Sequence, residues 1–252
     1  MNSPCLLVKD VCKNFGGLRA ISNVRLCLEP GERRAMIGPN GAGKTTLFNL
    51  ISGTLAPSSG GIQLFGKEVT RLSPHRRAAL GLTRTFQITN LFRNLTLFEN
   101  VVLAVQGLDQ ARYSMLRPVS SYTRLGHRAH QLLEAWGLRE KAGIPVRNLS
   151  YGEQRQVELI MAVAGNPKLL LLDEPTSGLS PAETGTVTEI IRKLDSNMTI
   201  LLIEHDMDVA FALADRVSVL HFGSLLTEGS VNEIQNDPRV GEIYFGAEQS
   251  DA

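Results

Sequence analysis

The stretch Gly38-Pro39-Asn40-Gly41-Ala42-Gly43-Lys44-Thr45 decides how the rest of the chain is read. It matches G-x-x-x-x-G-K-[ST] at every position, the pattern of a phosphate-cradling P-loop. Its glycines let successive backbone N–H groups turn inward around phosphate oxygens, and the helix that follows adds the positive end of its dipole. Lys44 then reaches the β- and γ-phosphates, and Thr45 offers its hydroxyl to Mg²⁺. Gly38, Pro39, Asn40, Gly41, Ala42, Gly43, Lys44, Thr45 and Thr46 are therefore the candidate nucleotide-binding residues.

The flanks agree with that reading. Arg34 to Ile37 reads as a strand entering the loop, and Thr45 to Ile51 has helical spacing with Gly53 after its end. Upstream, Val24, Leu26 and Leu28 alternate with polar residues as in a half-buried strand. Downstream, Ile62 to Phe65 reads as a strand. Ser73-Pro74 opens a short helix that Gly81 closes.

From about Ile88 to Ala164 the pattern turns mostly helical. Thr96-Leu97-Phe98-Glu99 and Ser150-Tyr151-Gly152-Glu153 are two capping boxes, and Thr123 to Trp136 is an amphipathic helix ended by Gly137. The last third alternates again. Leu169 to Leu172, Thr199 to Ile203 and Val217 to Leu220 read as strands, with helices over Ala182 to Asp195 and Asp206 to Ala214. Such alternation implies a mainly parallel sheet covered on both faces, with the helical middle inserted into it.

A second cluster of chemistry sits at Leu169-Leu170-Leu171-Leu172-Asp173-Glu174. A buried strand delivers two carboxylates to its C-terminal edge, where open α/β sheets bind their ligands. Asp173 is placed to hold Mg²⁺, and Glu174 to accept a proton from an attacking water. A P-loop with an acidic strand end also suits small-molecule kinases and many other ATPases.

Composition sets outer limits. The chain has 252 residues with 43% hydrophobic and 20% charged, values of a globular protein. Lys+Arg 26 against Asp+Glu 25 leaves no global field to draw it to nucleic acid or anionic lipid. Cys5, Cys12 and Cys27 are odd in number and form no C-x-x-C pair, which argues against a disulfide framework or zinc site and fits a reducing compartment. No signal peptide is read at the N-terminus, and no run approaches the roughly 20 apolar residues needed to span a bilayer. Between Gln110 and Leu133, Arg112, Arg117, Arg124 and Arg128 recur without an acid; the plainer account is a solvated helix face and loop. His127 and His130 share a helical face, with no third metal ligand evident.

Three more features narrow the class: Leu149-Ser150-Tyr151-Gly152-Glu153-Gln154, His205 after its strand, and Gln87 in Thr85-Phe86-Gln87. With these the chain resembles the ATP-binding subunits of ABC transporters over nearly its whole length. The resemblance implies an α/β P-loop NTPase of RecA-like type with an N-terminal antiparallel β subdomain and an inserted helical signature subdomain. It implies one ABC ATPase domain over 1–252, with 1–87 and 165–229 as core, 88–164 as helical subdomain and 230–252 as a C-terminal helical tail.

By the same resemblance, Ser150 and Gly152 match the signature residues that contact the γ-phosphate of ATP held by an opposite subunit. Tyr151 and Glu153 depart from the L-S-G-G-Q pattern, and a capping box alone would also account for Ser150 and Glu153. His205 is similar to the switch histidine, Gln87 to the glutamine that reaches Mg²⁺ and the attacking water, and Phe15 to the aromatic that stacks on adenine. Ser180 stands where the family commonly has Asp.

Arg84-Thr85-Phe86-Gln87, Leu95 to Val101, Ile203 to Met207 and Tyr244-Phe245-Gly246 resemble one branch, the ATPases of importers for branched-chain amino acids and related polar solutes such as urea. That branch implies ATP and Mg²⁺ as cofactors, a second ATPase subunit, transmembrane permease subunits, and indirectly a periplasmic solute-binding protein. It implies no nucleic acid, and a cytoplasmic location peripheral on the inner face of the cell membrane. The alternatives are an ATPase for lipid or lipopolysaccharide export and a non-transport ABC ATPase; neither a coiled-coil insertion nor a second ATPase unit is present for the latter.

Overall fold

The computed structural model describes residues 3–85, 91–107 and 123–245. The chain opens with strands β1 (Leu6–Phe15), β2 (Leu18–Leu28) and β3 (Arg33–Ile37), and β3 runs through the glycine loop into helix α1 (Lys44–Ser52). Strands β4 (Ser59–Leu64) and β5 (Lys67–Glu68), helix α2 (Pro74–Ala79) and strand β6 (Leu82–Arg84) follow. Helices α3 (Leu97–Gly107), α4 (Thr123–Ala135) and α5 (Tyr151–Val163) come next. The last third alternates β7 (Leu169–Asp173), α6 (Pro181–Arg192), β8 (Thr199–Ile203), α7 (Met207–Leu213) and β9 (Arg216–His221). It ends with β10 (Ser224–Ser230), α8 (Val231–Gln235) and α9 (Pro238–Phe245).

The main sheet has six strands in the order β10-β9-β3-β8-β7-β6. Its neighbours from β9 to β6 pair in parallel, and β10 is antiparallel to β9. A separate antiparallel sheet runs β2-β1-β4-β5. Leu169 and Leu171 of β7 enter the core shared with α1 and the antiparallel sheet, while Leu170 and Leu172 enter the core under α5, α6 and α7. Burial on both faces is why this strand is an unbroken leucine run. A third core holds α3, α4 and α5 together through Val101, Leu133 and Ile160. Helix α5 belongs to two cores at once, with Leu159 and Val163 in one and Val157 and Ile160 in the other.

Local signals explain the helix ends. Gly43 and Gly53 bracket α1 at φ 103° and φ 84°, left-handed conformations that glycine adopts without a Cβ penalty. Ser150, Ser180 and Ser230 each close a full capping box with the glutamate three residues on. Ser73 takes the cap position of α2, but its hydroxyl turns to the His75 ring instead of a backbone amide.

Strand β1 is where sequence patterning fails. Leu6, Val8, Val11 and Cys12 are buried, so the alternation slips after Val8. Asp10 sits at φ 48°, and the pairing with β2 shifts register between Val8 and Val11. A bulge of this kind erases the period-two signature.

Candidate functional site

The end of β3, the start of α1 and the hairpin between β9 and β10 enclose a cleft of about 610 Å³. Asn40 to Thr46, Glu174 and His205 line it, with Phe15 and Phe222 at its edge. The loop is built to its shape. A Cβ on Gly38 would lie 2.1 Å from the Leu220 carbonyl oxygen, and one on Gly43 would lie 2.8 Å from that of Ala20. Only glycine lets the loop approach its neighbours that closely.

Lys44 is buried and folds back, donating to the carbonyl oxygens of Gly38 and, at 3.1 Å, Pro39. Burial lowers its pKa, with the nearby charges of Glu174 and Asp173 opposing that shift. Its neighbour Thr45 is exposed in the cleft.

Asp173, at the C-terminal end of β7, is divided between two tasks. Its Oδ2 accepts from Arg84 Nη2 at 2.7 Å, and both side chains are buried. Its Oδ1 is buried and has no hydrogen-bond partner among the described residues. A buried carboxylate oxygen left without a donor is costly unless a cation completes it. With the Thr45 hydroxyl open at the start of α1, this hard-oxygen donor set fits Mg²⁺.

Glu174 is held in an uncommon backbone state, φ 48°. For a residue with a Cβ that costs on the order of 1–3 kcal/mol, so the surroundings must enforce it. Its amide donates to the Ile203 carbonyl oxygen at 2.9 Å, and its own carbonyl accepts from Arg155 Nη2 at 2.8 Å. The carboxylate then meets His205, with Nε2 to Oε1 at 2.5 Å. Beside it, buried Glu204 accepts from the Thr176 amide and hydroxyl at 3.0 and 2.8 Å. Burial pushes the Glu204 carboxyl pKa up, and the Thr176 bonds oppose it.

Gly38, Pro39 and Asp173 are not among the residues that line the cleft, and the other described sequence-predicted residues fall into two groups. Phe15, the loop from Asn40 to Thr46, Glu174 and His205 share the cleft, and Phe15 is 46% exposed under the Lys13 ammonium. Ser150 and Gly152 are not among its lining residues. They head α5, where the Ser150 hydroxyl accepts from the Glu153 amide and the Gly152 amide donates to Glu183 Oε1 at 3.1 Å. Gln87 lies outside the described residues, as do Arg112 and Arg117. Sequence reading missed Arg84, Arg155, Glu183 and Phe222. An aromatic in the tight Phe222-Gly223 turn was the one usable signal among them, since Phe222 is 82% exposed there.

A P-loop cradle beside two strand-end carboxylates and a histidine defines an ATP-binding, ATP-hydrolysing cassette. The ABC transporter family model matches residues 21–177, and the chain belongs to that family. The high-affinity branched-chain amino acid transport ATP-binding protein LivG of Escherichia coli (strain K12) is 41% identical over 98% of this chain and 99% of its own length. BraF of Pseudomonas aeruginosa, described in the same words, is 37% identical over the same shares. Among solved structures, an ABC transporter ATP-binding cassette in its ADP conformation superposes with a TM-score of 0.85 at 28% identity, covering 96% of this chain and 99% of that one. A dimeric post-hydrolysis state of another ATP-binding cassette, bound to ADP and Pi, gives a TM-score of 0.76 at 26% identity over 90% and 98%.

Proposed function

We propose that this chain powers uptake of branched-chain amino acids, or a related small polar solute, as one ATPase of an importer. The observation that carries this reading is the 41% identity to LivG across almost all of both chains. Among the described residues no helix is long and apolar enough to cross a membrane. In this reading the chain works as a peripheral subunit on the inner face of the cell membrane, docked on permease subunits that a periplasmic binding protein supplies with solute.

Each cleft residue has a task in that reading. The loop from Gly38 to Gly43 turns its amides to the phosphates, and Phe15 stacks on the adenine. Lys44 leaves the loop carbonyls and places its ammonium on the β- and γ-phosphates. Thr45, Asp173 and Gln87 would hold Mg²⁺, which when bound would supply positive charge against the phosphates. Glu174 takes the proton of the attacking water, and His205 fixes that carboxylate and the γ-phosphate in line. Ser150 and Gly152, which do not line their own cleft, meet the γ-phosphate bound by a second ATPase subunit. Closing that sandwich drives the permeases between their two facings, and hydrolysis reopens it.

The test is reconstitution of the chain with its permeases and second ATPase in proteoliposomes. Radiolabelled leucine, supplied with the binding protein, should accumulate only with Mg·ATP on the ATPase side, and Lys44→Ala should abolish uptake. Stimulation of ATP hydrolysis by lipid or lipopolysaccharide without solute uptake would replace this reading with export.

A further inference from the structure

Arg155 belongs to α5, the signature helix, yet its guanidinium reaches the strand end that carries Glu174. It is 3% exposed. Nη2 donates to the Glu174 carbonyl oxygen at 2.8 Å, Nε to the Pro175 carbonyl oxygen at 3.1 Å, and Nη1 to Glu158 Oε2 at 2.7 Å. Glu158 lies one turn further along the same helix, and its side chain is 9% exposed. The ion pair orients the fork, and the fork grips two successive carbonyls.

Those carbonyls flank the peptide that decides where the Glu174 side chain points. With φ 48° at Glu174, the turn is not one its sequence prefers, and relaxation toward ordinary backbone would swing the carboxylate away from His205. We propose that Arg155 is a positioning residue: from the signature helix it locks the Glu174–Pro175 backbone in the turn that aims the Glu174 carboxylate into the nucleotide cleft. One helix thus carries the signature turn at Ser150 and Gly152 and also the brace on the base, so a shift of α5 is felt by both. A lysine keeps the charge but lacks the planar fork needed for two carbonyls. The inference rests on Glu174 acting as the base.

The experiment compares Arg155→Lys, Glu174→Gln and the double variant in the full chain, reading Mg·ATP affinity with a fluorescent analogue and kcat separately. Misplacing a catalytic group by about 1 Å costs on the order of 100-fold, so Arg155→Lys should lower kcat by roughly 10- to 100-fold. Its Kd for ATP should stay within about twofold, because no P-loop contact changes. The double variant should be no slower than Glu174→Gln alone, since both act through one carboxylate. If Arg155→Lys fails to fold, Glu158→Gln, which removes the charge that orients the fork, should still lower kcat at unchanged Kd. A normal kcat in the folded Arg155 or Glu158 variant beside an inactive Glu174→Gln, or fully additive losses in the double variant, overturns the brace alone. A Glu174→Gln enzyme as fast as the parent overturns the base assignment and the brace with it.

Discussion

The Gly152 amide is already occupied, donating to Glu183 Oε1 at 3.1 Å and so tying the first turn of α5 to the first turn of α6. The other carboxylate oxygen of Glu183 accepts from the Ser180 amide and hydroxyl at 3.0 and 2.7 Å. The Ser180 hydroxyl, then the Ser180 and Gly152 amides, hold the Glu183 carboxyl below its usual pKa. Ser180 therefore acts through a capping box at the position where the family commonly has Asp.

A side chain at 152 would displace the Glu183 carboxylate from this joint. A Cβ there would lie 2.6 Å from Glu183 Oε1 and 2.9 Å from its Cδ and Cγ. Gly152→Ala should push Glu183 aside and part the two helix starts. Nucleotide binding at the P-loop should persist, while ATP-dependent association of subunits, followed by sedimentation velocity, should fail. Dimers of normal stability would remove Gly152 from the phosphate-contacting surface.

Glu174 and His205 make a second pair, joined at 2.5 Å. Removing the carboxylate's proton-accepting charge with Glu174→Gln should leave ATP bound and slow hydrolysis by about 10²–10⁴-fold, the usual worth of a positioned base. His205→Ala should also slow hydrolysis without weakening ATP binding, because it lines the cleft but does not belong to the cradle. Phosphate release in single-turnover mixing checks both.

How legible was this in the sequence? The cradle was fully so, because glycines at fixed offsets beside a lysine have few other uses, and the strand-helix alternation gave the parallel sheet. Strand β1 was hidden by its bulge at Asp10. The braces were hidden for a different reason. Arg84 meets Asp173 across 89 residues, and Gly152 meets Glu183 across 31, so nothing local distinguishes those side chains from any other surface charge. Pairings of this kind exist only once the sheet order is fixed.

The Arg84–Asp173 pair predicts a stability effect alongside the catalytic one. Both side chains are buried, and Arg84 also donates to Asn49 Oδ1 at 2.6 Å on the P-loop helix. Asp173→Asn breaks a buried ion pair by removing its carboxylate, a change that typically costs about 3–5 kcal/mol. The urea midpoint should fall accordingly, without nucleotide present. Adding Arg84→Met to Asp173→Asn should restore part of the loss, since the buried cation is then gone as well. Hydrolysis should stay absent in both, which separates the fold's need for the pair from the reaction's need for the carboxylate.

Tyr244 links the C-terminal tail to the cradle and gives a pH signature. It packs from α9 against the core under α7 and β9, within reach of the Gly38 backbone. Burial pushes the phenol up to about 12 from 10.0, with the Gly38 contact opposing that shift. A raised acid favours its neutral form in the folded chain. Its stabilisation is therefore whole below pH 10 and is lost as pH climbs from 10 to about 12. Two pH units at most correspond to about 3 kcal/mol. Tyr244→Phe cannot ionise, so its urea midpoint should decline less than the parent's over that window, after a small deficit near neutrality from the lost Gly38 contact. Parallel decline of the two proteins would mean that Tyr244 ionises as freely in the fold as in the unfolded chain.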